Sequence, residues 1–293
     1  MPLARHIARV GFLLWTFIAV KALAALPPEP IQYYYGEELY SALSEDRLQD
    51  ESLKKILRDV LRAVHLAVPN HYDEIHTSCP IKGQCYQHTL FSYYAARKFM
   101  YGELHLEDKP KGGYQVKTFY CGVDLKQSDF PKGNGPGPGR IPDAGITNTE
   151  HLWPQSRFNQ RESLELQKSD LHILRPVLSW VNTNRSNHPF GEVRIPYKPP
   201  CKGVNRGYLT KGGAIYFEPP AENKGNVARA LFYFSVRYDI AIDATQEEFL
   251  RLWHEEDPVD QWEIWRNNEV FEFQKTRNPF VDHPSLVNQI KDF

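Results

Sequence analysis

Three side chains near the middle of this 293-residue chain have the types that hydrolysis needs: Glu150, His151 and Asn182. They fall in residues 147–154 (TNTEHLWP) and 177–187 (VLSWVNTNRSN), with residues 169–176 (SDLHILRP) between. A histidine with an ordinary pKa of about 6.5 can take a proton from water near neutral pH. A carboxylate and an amide oxygen suit a hard divalent cation that keeps several waters and offsets charge on a phosphate and its leaving oxygen. The trio therefore suits phosphodiester hydrolysis, where water is a poor nucleophile and the phosphate repels it. On physics alone this is only one reading. A Glu-His dipeptide is common, and a structural histidine satisfied by hydrogen bonds is the more economical account.

Positioning the trio requires a short strand ending at Glu150-His151, a second strand through residues 171–174, and a helix from Pro176, whose ring is tolerated in a first turn. This is a ββα unit. Adjacent residues on a regular strand point opposite ways, so Glu150 and His151 converge only if the strand end is irregular. Around the unit, apolar spacing predicts helices over 39–68, 87–101 and 224–238. Residues 112–125 alternate like a strand, and 126–143 are too rich in Gly and Pro for regular structure. Thr245-Gln246-Glu247-Glu248 looks like a capping box opening a last helix through Trp253. The mixture predicts an α+β fold with no linker that marks a second domain. One catalytic unit over 25–293, with a helical N-terminal elaboration over about 36–110, is the simplest division.

Residues 1–24 read as a secretory signal: Arg5 and Arg9 precede an apolar run over 10–20, and Ala22-Leu23-Ala24 matches the small-x-small cleavage pattern. That run is too short to span a bilayer. Cleavage would remove Arg5, Arg9 and Lys21 and no acid, leaving 32 of the 35 Lys plus Arg against 36 Asp plus Glu. A net acidic chain binds phosphates only through a local basic surface. Residues 151–211 supply one, with ten Lys or Arg against four Asp or Glu. In an exported chain the four cysteines favour disulfides, preferably Cys79 with Cys85 and Cys121 with Cys201. No pair has the Cys-x-x-Cys spacing of structural zinc.

Four stretches, TNTEHLWPQSRF, SDLHILRPVLSWVNTNRSN, FEPPAENKGNVARALFYF and PVDQWEIWRNNEVFEFQKTRNPF, resemble in order the signature blocks of the bacterial endonuclease I family. With YCGVDL they cover about residues 120–280. The family comprises periplasmic and secreted non-specific nucleases of the ββα-metal (His-Me finger) fold. The resemblance implies that His151 is the general base and that Glu150 and Asn182 bind Mg²⁺. It implies DNA and often RNA as substrates, and products with 5′-phosphate and 3′-hydroxyl ends. A monomer with no stable membrane association is expected, no later segment being able to span a membrane. The stretch between His151 and Asp170 is short beside members with a longer cysteine-bearing insert, so the arginine such an insert brings to the scissile phosphate must come from elsewhere. Arg157, Arg161 and Arg175 are substitutes, and Arg185 beside the metal helix is another candidate. The late block also departs, with Gln274-Lys275-Thr276-Arg277 where many members have a glycine after the glutamine.

Other residues take a structural role first. His172 is expected to organise the fold by hydrogen bonding, His188 and His254 to pack or lie at the surface, and Trp253, Trp262 and Trp265 to belong to the core before they serve as base-stacking platforms. The alternative function is a secreted nucleic-acid-binding protein that has lost turnover, against which the intact trio argues. A zinc hydrolase of another substrate would need three nitrogen or sulfur ligands close together, which His151, His172 and His188 do not offer as a motif.

Overall fold

The computed structural model describes residues 31–45 and 47–293, so the expected signal segment lies outside the described residues. The described residues open with α1 (Ile31–Tyr34), α2 (Gly36–Ser44) and α3 (Asp50–Arg62), then β1 (Val64–Leu66), β2 (Glu74–His76) and β3 (Cys85–Tyr86). The helix expected over 39–68 is thus two helices and a strand. The break is local: Ser52 Oγ donates to Gln49 O at 2.6 Å and accepts from Gln49 N at 3.2 Å, bonds that restart the helix instead of continuing it. Beyond α3 the chain pairs antiparallel with both β2 and β3, and buried His65 stacks between Tyr34 and Tyr86. The N-terminal region is therefore mixed, not helical throughout.

Next come α4 (Tyr93–Phe99), extended by a π-helical turn over Met100–Leu104, and β4 (Leu106–Asp108), β5 (Tyr114–Lys117) and β6 (Asp124–Lys126) in an antiparallel sheet. The strand expected over 112–125 is folded back on itself. Gly122, at φ 61°, lets the chain turn, and Gly122 N donates to Thr118 O at 2.9 Å. β7 (Thr147–His151), α5 (Leu164–Ser169), β8 (Leu174–Leu178) and α6 (Ser179–Arg185) follow. The second strand begins later than expected because Asp170 caps a 3-10 turn over Leu171–Ile173 through His172 N. Pro176 sits inside β8 opposite Thr149, where its missing N–H costs the narrow two-stranded pairing little, while its carbonyl accepts from Phe119 N at 2.8 Å.

The remaining elements are β9 (Ile195–Pro196), β10 (Asn205–Tyr208), β11 (Ile215–Glu218), α7 (Lys224–Tyr238), α8 (Ala244–Glu256), α9 (Gln261–Gln274) and α10 (Pro279–Asp282). The helix over 224–238 is as expected. α8 starts from an Asp243 cap, not from Thr245, and is not the last, since Asp260 caps α9 through Glu263 N. The fold is α+β with small sheets. α7 is its axis: every residue after Lys224 is buried, packed by α3, α8 and α10. Both expected disulfides are present, Cys79–Cys85 and Cys121–Cys201. The second ties the β5–β6 turn to the loop before β10.

Candidate active site

β7 and β8 pair antiparallel with Glu150 opposite Arg175 and His151 opposite Leu174, and α6 follows β8 at once. β7 stays regular through His151. Glu150 and His151 accordingly find separate partners, as the two-residue period of a strand requires.

Glu150 is 2% exposed. Its Oε1 accepts from Tyr120 OH at 2.8 Å, and Arg185 Nε lies 2.9 Å away, close enough to pair although off the line of a good N–H···O bond. Arg185 is itself buried on α6 and donates to Leu152 O at 2.7 Å and Ser186 O at 3.0 Å. Burial raises the Glu150 carboxyl to about 7, while Arg185 and the Tyr120 hydroxyl oppose the rise. One guanidinium and one phenol therefore leave the buried carboxylate short of compensation. Asn182 sits one turn earlier on the same helix, and its Nδ2 donates to Thr149 O at 3.2 Å.

His151 lies on the other side of the strand. Its Nε2 is 2.9 Å from Lys168 O and its Nδ1 is 3.2 Å from Gln155 Nε2. A carbonyl can only accept, so the proton sits on Nε2, and the Nδ1 lone pair accepts from the Gln155 amide. Burial lowers the imidazole to about 4, with Lys168, Arg185 and Arg97 adding to the drop and the carbonyl bond opposing it. Tyr93 packs 5.4 Å from the His151 ring, and Lys168 lies over Tyr93.

The carbonyl that orients His151 is itself fixed by the segment that follows it. Asp170 accepts from Tyr233 at 2.9 Å, Tyr238 at 2.8 Å, Gln274 at 2.8 Å and His172 N at 3.0 Å, which pins the turn before β8 to α7 and α9. His172, bonded to Thr276 O, belongs to this scaffold and not to the site.

Of the arginine candidates, the structure brings Arg185 to Glu150 but buries it. Arg175 is buried too, donating to His172 O and Leu174 O. Arg161 is exposed and lies 3.9 Å from Asp239. Arg157 is exposed, with Nη2 donating to Asn187 O at 3.2 Å and no carboxylate partner among the described residues. Sequence reasoning missed Tyr120, Gln155, Tyr93 and the Lys168 carbonyl. The first lay in the quoted YCGVDL stretch, whereas a backbone carbonyl leaves no trace in residue types.

A carboxylate and an amide oxygen, the types that Glu150 and Asn182 carry, would suit a hard cation that keeps its other positions for water and substrate oxygens. Among the described residues no group of three or more His, Cys, Asp or Glu is arranged to hold a metal ion. The profile of the Endonuclease I family matches residues 133–285, just over half of the chain. The chain belongs to the endonuclease I family. Within that matched segment lie Glu150, His151 and Asn182, whereas Tyr93 and Tyr120 precede it. The chain is 35% identical over 166 residues to an extracellular ribonuclease of Bacillus amyloliquefaciens, which covers 50% of this chain and 54% of the relative. It is 28% identical over 190 residues to Endonuclease-1 of Buchnera aphidicola subsp. Baizongia pistaciae, covering 56% and 75%. It is 26% identical over 186 residues to an extracellular deoxyribonuclease of Aeromonas hydrophila, covering 56% and 80%. The chain thus spans about half the length of the ribonuclease relative.

Proposed function

We propose that this endonuclease I family member is exported and hydrolyses DNA and RNA with little sequence preference, Mg²⁺-dependently and leaving 5′-phosphate ends. In this reading β7, β8 and α6 form a ββα-metal core, with His151 as general base on one side of the end of β7 and Glu150 and Asn182 holding the metal on the other, so that the substrate phosphate would lie across the strand end. The observation that carries it is the imidazole: Nε2 donates to a backbone carbonyl, so Nδ1 is the nitrogen left to take a proton from water, once water replaces the Gln155 amide that donates to it. Its lowered pKa keeps Nδ1 unprotonated at neutral pH, and a substrate phosphate beside it would restore basicity by favouring the cation. Bound at Glu150 and Asn182, Mg²⁺ would offset charge on the phosphate and the leaving oxygen. Relatives named as extracellular ribonuclease and extracellular deoxyribonuclease support both the substrate breadth and the export. Among the described residues no helix is long and apolar enough to cross a membrane.

The test is supercoiled plasmid incubated with purified protein, with Mg²⁺ and with excess chelator. Nicking is expected only with metal, and nicking that survives complete chelation would remove this mechanism. His151→Ala should lose roughly 10² to 10⁴ in single-turnover rate while still binding metal. Binding of nucleic acid without turnover by the wild type would favour the inactive alternative.

A further inference from the structure

The small sheet β9–β10–β11 stands directly behind Glu150. Phe217 on β11 packs 4.8 Å from the Tyr120 ring, whose hydroxyl holds the Glu150 carboxylate. Register then carries the same face outward. Arg206 on β10 is opposite Phe217, and Gly207 is opposite Pro196, so the next pair along the strands is Arg206 with Tyr197. Tyr197 N donates to Arg206 O at 2.6 Å, which keeps that register one residue past β9. Residues directly opposite share a face. The sheet therefore places Phe217, Arg206 and Tyr197 in a row leading away from the site over two strand spacings, on the order of 10 Å.

The chemistry along this row is unusual for a solvated surface. Arg206 Nε is buried without a hydrogen-bond partner, and its guanidinium pairs with no carboxylate among the described residues. Tyr197 is 46% exposed, with Lys198 at 5.4 Å and Arg206 at 5.8 Å from its ring centre. Arg157 approaches from the site side, bonded to the chain just before His188. The charges of Arg206, Arg185 and Arg157 all bear on His188, adding to the burial that lowers its imidazole. Cations without acids, next to an exposed ring, match a strand that alternates phosphate and base.

We propose that this sheet face is a track for a single nucleic-acid strand running from the cutting site, with Arg157 and Arg206 on its phosphates and Tyr197 stacking one base. The track rests on the reading of Glu150 and His151 as the cutting site. It makes unpaired strands the preferred substrate, because a base inside a duplex has no free face for Tyr197.

The experiment uses the full chain carrying His151→Ala, so that a bound strand is not cut, and fluorescence anisotropy with a labelled oligothymidylate and a blunt DNA duplex over a range of KCl. Tyr197→Ala should weaken the single strand by about tenfold and the duplex by less than about twofold, as stacking on an exposed ring predicts. Arg206→Gln should reduce the slope of log K against log salt by about 0.7 on the single strand, and Arg206→Lys should restore it. Tyr197 is exposed, so its replacement leaves the fold intact. Unchanged single-strand affinity in Tyr197→Ala, or equal weakening of strand and duplex, overturns the track. So does an unchanged salt slope in Arg206→Gln. The nuclease reading fails separately, through a wild type that does not nick plasmid with Mg²⁺.

Discussion

Two buried carboxylates flank the β7–β8 pair, and they are treated very differently. Asp170 receives four hydrogen bonds, from Tyr233, Tyr238, Gln274 and His172 N, while Glu150 has one phenol and one guanidinium. Burial raises the pKa of both. The Asp170 region is closed: its donors are used up in joining the turn before β8 to α7 and α9. The Glu150 region is open, a buried carboxylate whose neighbours fall short of offsetting its charge. The difference separates Asp170 as scaffold from Glu150, which the proposed function makes the reagent. A hydrogen-bond-saturated acid organises packing, and an under-compensated one is where a cation would be stabilised.

The strongest way to break this contrast is to replace each acid by its amide. Glu150→Gln should cost at least about 10² in Mg²⁺-dependent rate, because a neutral amide attracts the cation less, yet change stability at pH 7 by under about 1 kcal/mol. The second half follows from the carboxyl lying at about 7: much of it is already neutral without metal, and glutamine keeps an oxygen for Tyr120 and Arg185. Asp170→Asn should do the reverse. One amide oxygen cannot serve four donors, so about 2 to 4 kcal/mol of stability is expected to go, at about 1 to 3 kcal/mol per stranded buried group. Denaturant melts paired with single-turnover rates below the melting range read both. If Asp170→Asn melts like the wild type but is inactive, the scaffold assignment of Asp170 is wrong.

The contrast also explains what could be read before the structure. Glu150, His151 and Asn182 could be singled out as candidates because ordered blocks around them resemble a known family, and the helix over 224–238 was legible because its apolar residues are so dense. Asp170's role was not legible. Its four partners come from places 2 to 104 residues away in sequence, and no spacing rule links them. The late start of β8 has the same origin, since the Asp170 cap forms a turn where an alternating pattern suggested a strand. Likewise the continuous apolar pattern over 39–68 hid a break that two hydrogen bonds at Ser52 create.

A smaller effect separates the site from its outer support. The Cys121–Cys201 bond closes an 80-residue separation and joins the β5–β6 turn bearing Tyr120 to the sheet behind it. Replacing both cysteines by serine should remove about 2 to 4 kcal/mol of stability. At temperatures where the variant remains folded, its rate should fall less than that of Glu150→Gln. A larger rate loss than Glu150→Gln, with the melt unchanged, would make the disulfide part of the site's geometry instead of its support.

The finest test of the open carboxylate is Tyr120→Phe. The ring stays, packed against Phe119 and Phe217, so the fold should hold; only the hydroxyl that donates to Glu150 Oε1 is lost. That bond favours the ionised carboxylate, so its removal lets burial raise the carboxyl further above about 7. Metal binds the ionised form, and the sign follows. In the wild type, protons compete with Mg²⁺ below about pH 7, so the Mg²⁺ midpoint should fall as pH rises from 6 to 8. In Tyr120→Phe the same curve should be displaced to higher pH, by an amount equivalent to the loss of one hydrogen bond to a charged group, about 1.5 to 3 kcal/mol at most and less if water replaces the hydroxyl. The two proteins should converge where both carboxyls are ionised. Calorimetric Mg²⁺ titrations at pH 6, 7 and 8 on both proteins measure this directly. A midpoint independent of pH in the wild type would mean that the Glu150 carboxylate is already fully ionised before metal arrives, and the contrast with Asp170 would lose its electrostatic basis.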